Sequence, residues 1–254
     1  MNDIVIPDPG CKVCREPLPF AFTYAFQPIV DLGNHTVFAY EALIRGLNGE
    51  SALSVLEKVT DQNRYRFDQE CRIRSIRLAK KLGMTSKISI NFMPNAIYSP
   101  EMCIRTTLQA AYEADFPVSQ IIFEVLESEE IFDPEKLREI FLFYQKTGFM
   151  TAIDDFGSGF AGLTLLAKFA PDIIKIDMQL VRNIDQDTVK QAIVLGILLT
   201  SQNLGIRIIA EGIETAAEAQ WFKAQGVTLM QGYFFAKPGF EQLPVPRYLE
   251  NGNF

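Results

Sequence analysis

The chain has 254 residues, 48% of them hydrophobic and 22% charged, which is typical of a globular protein with a sizeable core. Its formal net charge of −7 argues against binding to nucleic-acid polymers, because proteins that bind them through phosphate contacts are usually basic. The longest apolar run, 192–199, is far shorter than the roughly 18–20 residues of a membrane-spanning helix, and no secretory signal pattern is present, so we expect a cytoplasmic protein without membrane insertion.

The start of the chain differs in composition from the rest. Its first 21 residues contain four prolines, which predicts an extended leader, residues 1–21, ahead of a single domain over 22–254. Cys11 and Cys14 form a CxxC pair, which occurs in half zinc sites and in redox pairs. Because His35 is the only histidine and no second cysteine pair follows, this pair is weak evidence for either site.

From residue 22 onward, short β-rich runs alternate with longer helical patterns. Eight strand signals in one chain of this length favour a (β/α)8 barrel over a doubly wound sheet. The loop 31–36 is too short for a crossover helix, so the first two strands should pair antiparallel. The predicted fold class is therefore α/β, a modified (β/α)8 TIM-like barrel with one antiparallel strand near the start. The predicted strands are Tyr24–Val30, Val37–Ile44, Ile88–Met93, Ile121–Leu126, Thr151–Asp154, Ile173–Ile176, Arg207–Ala210 and Leu229–Phe234.

Five longer segments have the apolar spacing of amphipathic helices. In the first, Arg74 and Lys81 are predicted to share a polar face, and Cys71 belongs to the opposite face. Pro134 suits the first turn of a helix that Asp133 would cap. The predicted helices are Asp68–Leu82, Met102–Ala114, Pro134–Thr147, Thr188–Leu204 and Ala216–Gln225.

Polar side chains lie in or just after the apolar run of each predicted strand. In a barrel, the carboxyl ends of the strands form one rim, where active sites draw residues from several strands. Several buried carboxylates would each need a partner, and hard divalent cations provide one because they prefer oxygen ligands. Since the set contains no cysteine or histidine, Mg²⁺ or Mn²⁺ is favoured over a structural zinc. The polar residues are Gln27, Glu41, Asn91, Glu124, Asp154 with Asp155, Lys175 with Asp177, Glu211 and Gln231.

Asp154 and Asp155 are adjacent at the end of an apolar run, shortly before Gly157 and Gly159. On a regular strand they would point to opposite faces, but they can converge where the strand ends and a glycine-rich turn begins. This stretch alone equally allows a metal site and a turn with solvated or helix-capping aspartates. The polar residues of the other strands favour the metal site, with Asp154 bridging two ions and Asp155 binding the second, an arrangement that serves in-line attack on a phosphodiester.

Lys175 has two interpretations. It can help to activate and orient an attacking water beside the metals. It can instead form a salt bridge with Asp177, which is two residues away and would lie on the same strand face. The number of acidic neighbours favours the first interpretation.

The order of these motifs resembles the EAL-domain family, the phosphodiesterases that linearise the bacterial messenger cyclic di-GMP. The resemblance covers about residues 22–240, and eight motifs in the family's order are far more specific than any one of them. The motifs are Gln27-Pro28-Ile29-Val30, Glu41-Ala42-Leu43-Ile44-Arg45, Ile90-Asn91-Phe92, Glu124-Val125-Leu126-Glu127-Ser128, Asp154-Asp155-Phe156-Gly157-Ser158-Gly159, Ile174-Lys175-Ile176-Asp177, Glu211-Gly212-Ile213-Glu214 and Gln231-Gly232-Tyr233.

The resemblance implies hydrolysis of cyclic di-GMP to linear pGpG with two divalent cations, Mg²⁺ or Mn²⁺. Ca²⁺ should inhibit, because its looser coordination fits poorly where Mg²⁺ geometry is demanded. The resemblance also implies a homodimer. An unidentified regulatory partner is one way in which activity could be controlled. The implied roles are metal binding by Glu41, Asn91, Glu124, Asp154, Asp155 and Glu211; catalysis by Lys175, Glu211, Asp155 and Gln231; substrate binding by Gln27, Leu43, Arg45, Asp177 and Gln231; and loop positioning by Glu127 and Glu214.

A few positions depart from the family's pattern. Gly46 stands where the family usually has an aromatic residue, which weakens the expected stacking on the ligand, and Leu126 replaces a common threonine. The complete set of metal ligands favours catalysis. Three alternatives stay open: a cyclic di-GMP receptor without turnover, a protein-interaction module on the same fold, and an unrelated two-metal hydrolase on a similar barrel.

Overall fold

The computed structural model describes residues 17–127, 133–159 and 162–247. The Cys11 and Cys14 pair lies outside the described residues. Of the predicted leader, Leu18 and Phe20 pack against the main hydrophobic core, and the boundary between leader and domain stays a prediction. Within the described ranges, no helix is both long enough and apolar enough to cross a membrane.

Eight strands close into a barrel, and a ninth short strand lies beside the first. The strands are β1 Thr23–Asp31, β2 Thr36–Arg45, β3 Lys87–Asn91, β4 Ile121–Leu126, β5 Met150–Phe156, β6 Ile173–Ile176, β7 Arg207–Ala210, β8 Leu229–Gln231 and β9 Gly239–Phe240. Neighbouring strands from β2 to β8 are parallel, whereas β1 pairs antiparallel with both β2 and β8 and closes the ring. The predicted modified (β/α)8 barrel with an antiparallel strand near its start is confirmed.

The helices lie between successive strands. They are α1 Ala52–Leu56, α2 Arg64–Lys81, α3 Pro100–Glu113, α4 Pro134–Thr147, α5 Gly162–Lys168, α6 Met178–Val181, α7 Thr188–Leu204 and α8 Ala216–Ala224. The predicted bounds of α4 and α7 agree with the structure because both helices carry strong end signals. Asp133 caps the start of α4 and Asp187 that of α7, and each helix ends at a glycine with positive φ, Gly148 and Gly205. The short α1, α5 and α6 were not predicted, since fewer than eight residues carry little periodicity.

Several predicted bounds differ from the structure: for example, α2 begins at Arg64 rather than Asp68, and β3 ends at Asn91 rather than Met93. The last strand was predicted to continue to Phe234, but β8 ends at Gln231, and the chain turns at Gly232, whose carbonyl accepts from the amide of Phe235. In α2, Arg77 and Lys80 are exposed and Cys71 is buried, as the amphipathic pattern indicates. The side chain of Arg72, however, is completely buried, which a helical pattern of apolar residues does not predict.

An apolar layer inside the barrel supports the polar residues above it. Because alternate residues of a strand point to the same face, the residue two positions before a rim residue lies directly beneath it. Ile122 thus lies below Glu124, and Ala152 below Asp154. The barrel interior at this level is filled by one cluster of buried apolar residues: Ile29, Ala39, Ile122, Ala152, Ile173, Ile209 and Leu229. This packed layer closes the barrel and holds the polar side chains at its carboxyl end.

Gly232 and Gly196 provide a test of one close backbone contact. A Cβ at Gly232 would lie 2.0 Å from the carbonyl oxygen of Ile213, whereas nothing lies within 4 Å of one at Gly196 in α7. We expect Gly232→Ala to lower the free energy of unfolding by about 2 kcal/mol or more. The matched change Gly196→Ala should raise it by up to about 1 kcal/mol, because alanine favours helix. Urea unfolding followed by circular dichroism measures both, and equal effects would contradict the prediction.

Candidate active site

Most polar residues of the strands line a cavity of about 540 Å³ at the carboxyl end of the barrel, but the predicted metal ligand Glu124 is completely buried and is not among the lining residues. Its walls are largely apolar and include Leu43, Phe92 and Met93. Leu126, Met178 and Tyr233, which also line it, are partly exposed at its mouth. The sequence-predicted residues that line the cavity are Gln27, Glu41, Leu43, Asn91, Asp154, Asp155, Lys175, Glu211, Glu214 and Gln231.

An irregularity in β5 brings Asp154 and Asp155 to the same site. The strand continues to Phe156 rather than ending at Asp154, but its pairing with β6 shifts between Ile153 and Phe156. Asp155 has a φ of 54°, in the left-handed region, and its amide donates to the Asp154 carboxylate over 2.9 Å. This local kink allows two adjacent side chains to face one cavity, which a regular strand does not.

The carboxylates form two groups that share Asp154. Glu41, Glu124 and Asp154 make one group, and Asp154, Asp155 and Glu211 make the other. Within each group, one oxygen from every residue lies within 4.8 Å of the others. A shared carboxylate between two oxygen-rich clusters is the arrangement that a pair of bridged divalent cations requires.

The ammonium of Lys175 lies among these carboxylates. Its Nζ is 2.7 Å from Glu211 Oε1, 2.9 Å from Asp154 Oδ1 and 3.1 Å from Glu124 Oε2, with Glu41 at 3.7 Å. Burial opposes the charge of Lys175, but the surrounding carboxylates outweigh it and hold its pKa well above the usual value.

The alternative salt bridge between Lys175 and Asp177 is absent from the described residues. β6 ends at Ile176, and Asp177 instead begins α6, where its carboxylate accepts from the amide of Gln179 over 2.8 Å.

Burial and mutual repulsion raise the pKa of several carboxyls. Burial is the largest cause at Glu124, whose pKa is raised to about 8 with a contribution from Asp154, although Lys175 opposes the shift. Burial, followed by the charge of Asp154, also raises the pKa of Glu211 well above its usual value. At Asp155, burial and Asp154 raise the pKa to about 6. Bound cations would reverse these shifts, because ligands bind metal in their deprotonated form.

Buried amides complete the donor set. Asn91 Nδ2 donates to Glu41 Oε1 over 3.3 Å, which leaves the buried Oδ1 of Asn91 without a hydrogen-bond partner. Gln231 Nε2 donates to Glu41 Oε2 over 2.6 Å, and to Gln27 Oε1 over 3.3 Å. An unpaired buried amide oxygen beside carboxylates is a suitable ligand for a hard cation, so the residues present fit the implied metals.

The charge balance supports the same fit. The five carboxylates of the two groups and the ammonium of Lys175 together carry a formal charge of −4 when fully ionised, which two divalent cations would neutralise. Without such partners, several charges of the same sign in one buried site would be unfavourable.

Two carboxylates next to the cavity hold neighbouring loops; Glu127 is buried, whereas Glu214 is exposed. Glu127, buried at the end of β4, accepts from the amides of Gly157, Gly159 and Gly162 at 2.6–3.1 Å. Glu214 lines the cavity and pairs with Arg182 on the other side, with an Nη2–Oε1 distance of 2.6 Å.

Sequence reasoning missed two residues that support the site. Glu218 is fully buried, and its carboxylate accepts from the amides of Asn183, Glu214 and Thr215. The spacing of Thr215 and Glu218 is a capping-box signal, which would have predicted the contacts within α8 but not the one to Asn183. The hydroxyl of Ser89 donates to Glu124, and no sequence signal indicated this contact.

Arg45 and Asp177 differ from the other predicted substrate residues. Neither lines the cavity as the described residues define it. The Arg45 guanidinium donates to the carbonyl of Ile44 over 2.7 Å, and Asp177 lies close enough to Asp155 to raise its pKa. Their roles in substrate binding therefore stay predictions.

The metal-free protein is expected to lose stability as the pH rises, because the folded state holds protons on Glu124 and Asp155 more tightly than the unfolded chain does. The unfolded carboxyls titrate near pH 4, so this contribution is complete below about pH 4 and is lost between there and about pH 8. When a chelator keeps the protein free of metal, thermal unfolding should give a lower Tm at pH 8.5 than at pH 5.5. Glu124→Gln should reduce that difference, and a difference of the same size in the variant would contradict this account.

Comparisons with known proteins show the family of this chain. The family model described as the EAL domain matches residues 20–238. This chain is similar to the blue light- and temperature-regulated antirepressor BluF of Escherichia coli K12, with 32% identity over 87% of this chain. It is also similar to the probable cyclic di-GMP phosphodiesterase PdeN of that organism, with 28% identity over 91%. The matches cover 55% and 46% of these relatives, so this chain spans about half their length.

Two solved structures are similar to this chain. One is a standalone versatile EAL protein from Vibrio cholerae O395 in its c-di-GMP-bound form, with 55% identity and a TM-score of 0.88 over 91% of this chain and 98% of the other. The second is Klebsiella pneumoniae BlrP1 in a manganese and cy-diGMP complex, with 34% identity and a TM-score of 0.81 over 89% and 58% of the two chains. Because the family model matches most of this chain, the chain belongs to the EAL domain family.

Proposed function

We propose that this chain is a metal-dependent phosphodiesterase that hydrolyses cyclic di-GMP to linear pGpG. The observation that carries the proposal is the pair of carboxylate groups that share Asp154 around Lys175. Two comparisons support the substrate, since PdeN is named a probable cyclic di-GMP phosphodiesterase and the Vibrio cholerae protein was solved with c-di-GMP bound.

Six residues of the chain would hold two divalent cations, Mg²⁺ or Mn²⁺. Asp154 would contribute to both sites, because it belongs to both carboxylate groups. Bound there, the cations would supply a nucleophilic water at neutral pH and polarise the phosphodiester. BlrP1, solved with manganese and the cyclic dinucleotide, supports this assignment. The six residues are Glu41, Asn91, Glu124, Asp154, Asp155 and Glu211.

Lys175 and Glu211 would act on the reacting groups. Lys175 keeps its charge among the carboxylates, so its ammonium would orient an attacking water and stabilise the negative charge that develops on the phosphate. Glu211 lies 2.7 Å from that ammonium and lines the cavity, which supports a role in which its carboxylate would accept a proton from the water.

The amides and the cavity walls would position the substrate. Gln231 and Gln27 hydrogen-bond to each other, and Gln231 also holds Glu41, which orients that carboxylate towards the cavity. The apolar walls offer surfaces for the two guanine bases, with Leu43 on one side of the cavity. The anionic phosphates would be neutralised by the bound cations rather than by the acidic protein itself.

One assay separates the proposal from its rivals. The purified chain is incubated with cyclic di-GMP and Mn²⁺ or Mg²⁺, and pGpG is followed by chromatography. We expect metal-dependent formation of pGpG that stops when chelator is added. Tight binding without product would instead indicate a receptor, and no binding would favour a protein-interaction module.

The proposal includes three further properties: a homodimer, which the family resemblance implies; a cytoplasmic location, which the apolar runs and the N-terminal sequence predict; and control by an unidentified partner. Sedimentation of the purified chain tests the first of them, because a monomer at micromolar concentration would contradict a stable dimer.

Asp154→Asn removes a charge from both carboxylate groups with almost no change in shape. We expect turnover to fall at least about 10³-fold while the Tm stays within a few degrees, because loss of a shared ligand removes several kcal/mol of transition-state stabilisation. The matched control is Asp133→Asn at the start of α4, where asparagine caps a helix as well as aspartate does. Normal turnover in the Asp154 variant would show that the two-metal assignment is wrong.

Calcium is expected to compete with Mn²⁺ and to inhibit. Ca²⁺ accepts more ligands at longer distances, so it should bind the carboxylates without holding water and phosphate in line. Turnover is measured at fixed Mn²⁺ with increasing Ca²⁺, and excess Mn²⁺ should restore it. Full turnover with Ca²⁺ as the sole added metal would contradict the prediction.

A further inference from the structure

A buried ion pair lies beside the cavity, whose lining includes Asp68, and it is outside the set of predicted metal ligands. It consists of Asp68 and Arg72, one turn apart on α2, with side chains 1% and 0% exposed. Arg72 Nη2 lies 2.8 Å from Asp68 Oδ2, and Nη1 donates to the hydroxyl of Tyr144 over 2.7 Å. We call these two residues the Asp68–Arg72 pair.

The surroundings of the pair are aromatic. The Arg72 guanidinium lies 4.8 Å from the ring centre of Phe123 and 5.5 Å from that of Phe92. These two residues are chain neighbours of predicted metal ligands, because Phe92 follows Asn91 and Phe123 precedes Glu124. The pair therefore packs against the outer side of the same two strand ends whose inner side forms the rim.

The backbone after Asn91 is held at two successive amides. The amide of Phe92 donates to the carbonyl of Glu124 over 3.0 Å, and the amide of Met93 donates to Asp68 Oδ1 over 2.9 Å. The side chain of Asn91, in contrast, has one hydrogen bond of 3.3 Å to Glu41. The position of its amide oxygen thus depends mainly on where the backbone places it.

Stability alone does not account for such a pair. Taking two charges out of water is unfavourable, and replacing a buried ion pair by apolar residues of similar size is often neutral or stabilising. An apolar pair could reproduce neither the hydrogen bond from Arg72 to Tyr144 nor the acceptor that Asp68 offers to the Met93 amide, and only the second of these contacts holds the backbone beside a predicted metal ligand.

We propose that Asp68, held by Arg72, is a positioning residue for Asn91: it anchors the Asn91–Met93 segment so that the Asn91 amide oxygen points at the metal site. The inference rests on the proposed function, in which Asn91 binds metal. Partners that orient a metal ligand typically contribute 10- to 100-fold to metal affinity, so loss of the anchor should weaken Mn²⁺ binding by about 10-fold or more.

The test is Mn²⁺ binding to the purified chain, measured by electron paramagnetic resonance or calorimetry without substrate. The double variant Asp68→Leu/Arg72→Met removes both charges and the anchor, and should raise the Kd for Mn²⁺ by about 10-fold. Asp68→Asn/Arg72→Met also removes both charges but keeps an amide oxygen for the Met93 amide, and should bind Mn²⁺ nearly as well as the unaltered chain. Tyr144→Phe, which removes only the hydroxyl that Arg72 contacts, should leave the Kd unchanged.

A further variant separates positioning from general destabilisation. Asn91→Ala removes the proposed ligand itself, so adding Asp68→Leu/Arg72→Met to it should cause no further loss of Mn²⁺ affinity. Equal Kd values for the leucine and asparagine double variants, or additive losses in the Asn91→Ala background, would overturn the inference. If the unaltered chain binds no Mn²⁺, the proposed function fails instead, which keeps the two failures distinct.

Discussion

Five carboxylates that repel one another lie close together at one end of the barrel, and the side chains and loops around them are arranged to offset this repulsion. Lys175 offsets part of it by approaching Asp154, Glu211 and Glu124 closely, and Gln231 and Asn91 donate to Glu41. The remaining negative charge is what makes this end of the barrel suitable for hard divalent cations. The apolar layer, two residues away from the polar residue on each strand, gives these side chains a packed support.

Other buried carboxylates hold the backbone around the site. Glu127 binds three amides of the loop after β5, Glu218 binds three amides around the loops after α6 and β7, and Asp68 binds the amide of Met93. In each case, a charged acceptor satisfies main-chain donors that the irregular loops leave unpaired. These hydrogen bonds connect the backbone near the predicted metal ligands at the ends of β3, β5 and β7 to neighbouring elements. The relative positions of the ligands are therefore held although the loops lack regular hydrogen bonding.

Agreement between sequence and structure was best where the signal is local. β4, β6 and β7 have the predicted bounds, because each is a short apolar run between turn residues. α4 and α7 also have their predicted bounds, since caps and glycines mark both ends. β8 was predicted too long because apolar residues follow Gly232, and the contact of Gly232 with Ile213 that makes the chain turn is distant in sequence.

The barrel, its antiparallel start and the identity of the residues at its carboxyl end could be predicted from the sequence, because strand periodicity and motif order can be read along the chain. The way in which these residues meet is visible only in the folded molecule. Three features depend on contacts between distant segments. They are the kink at Asp155, the pairing of Lys175 with carboxylates of other strands rather than with Asp177, and the burial of Arg72. Burial and pairing of charge are set by what packs around a group, which a pattern along one strand or helix does not contain.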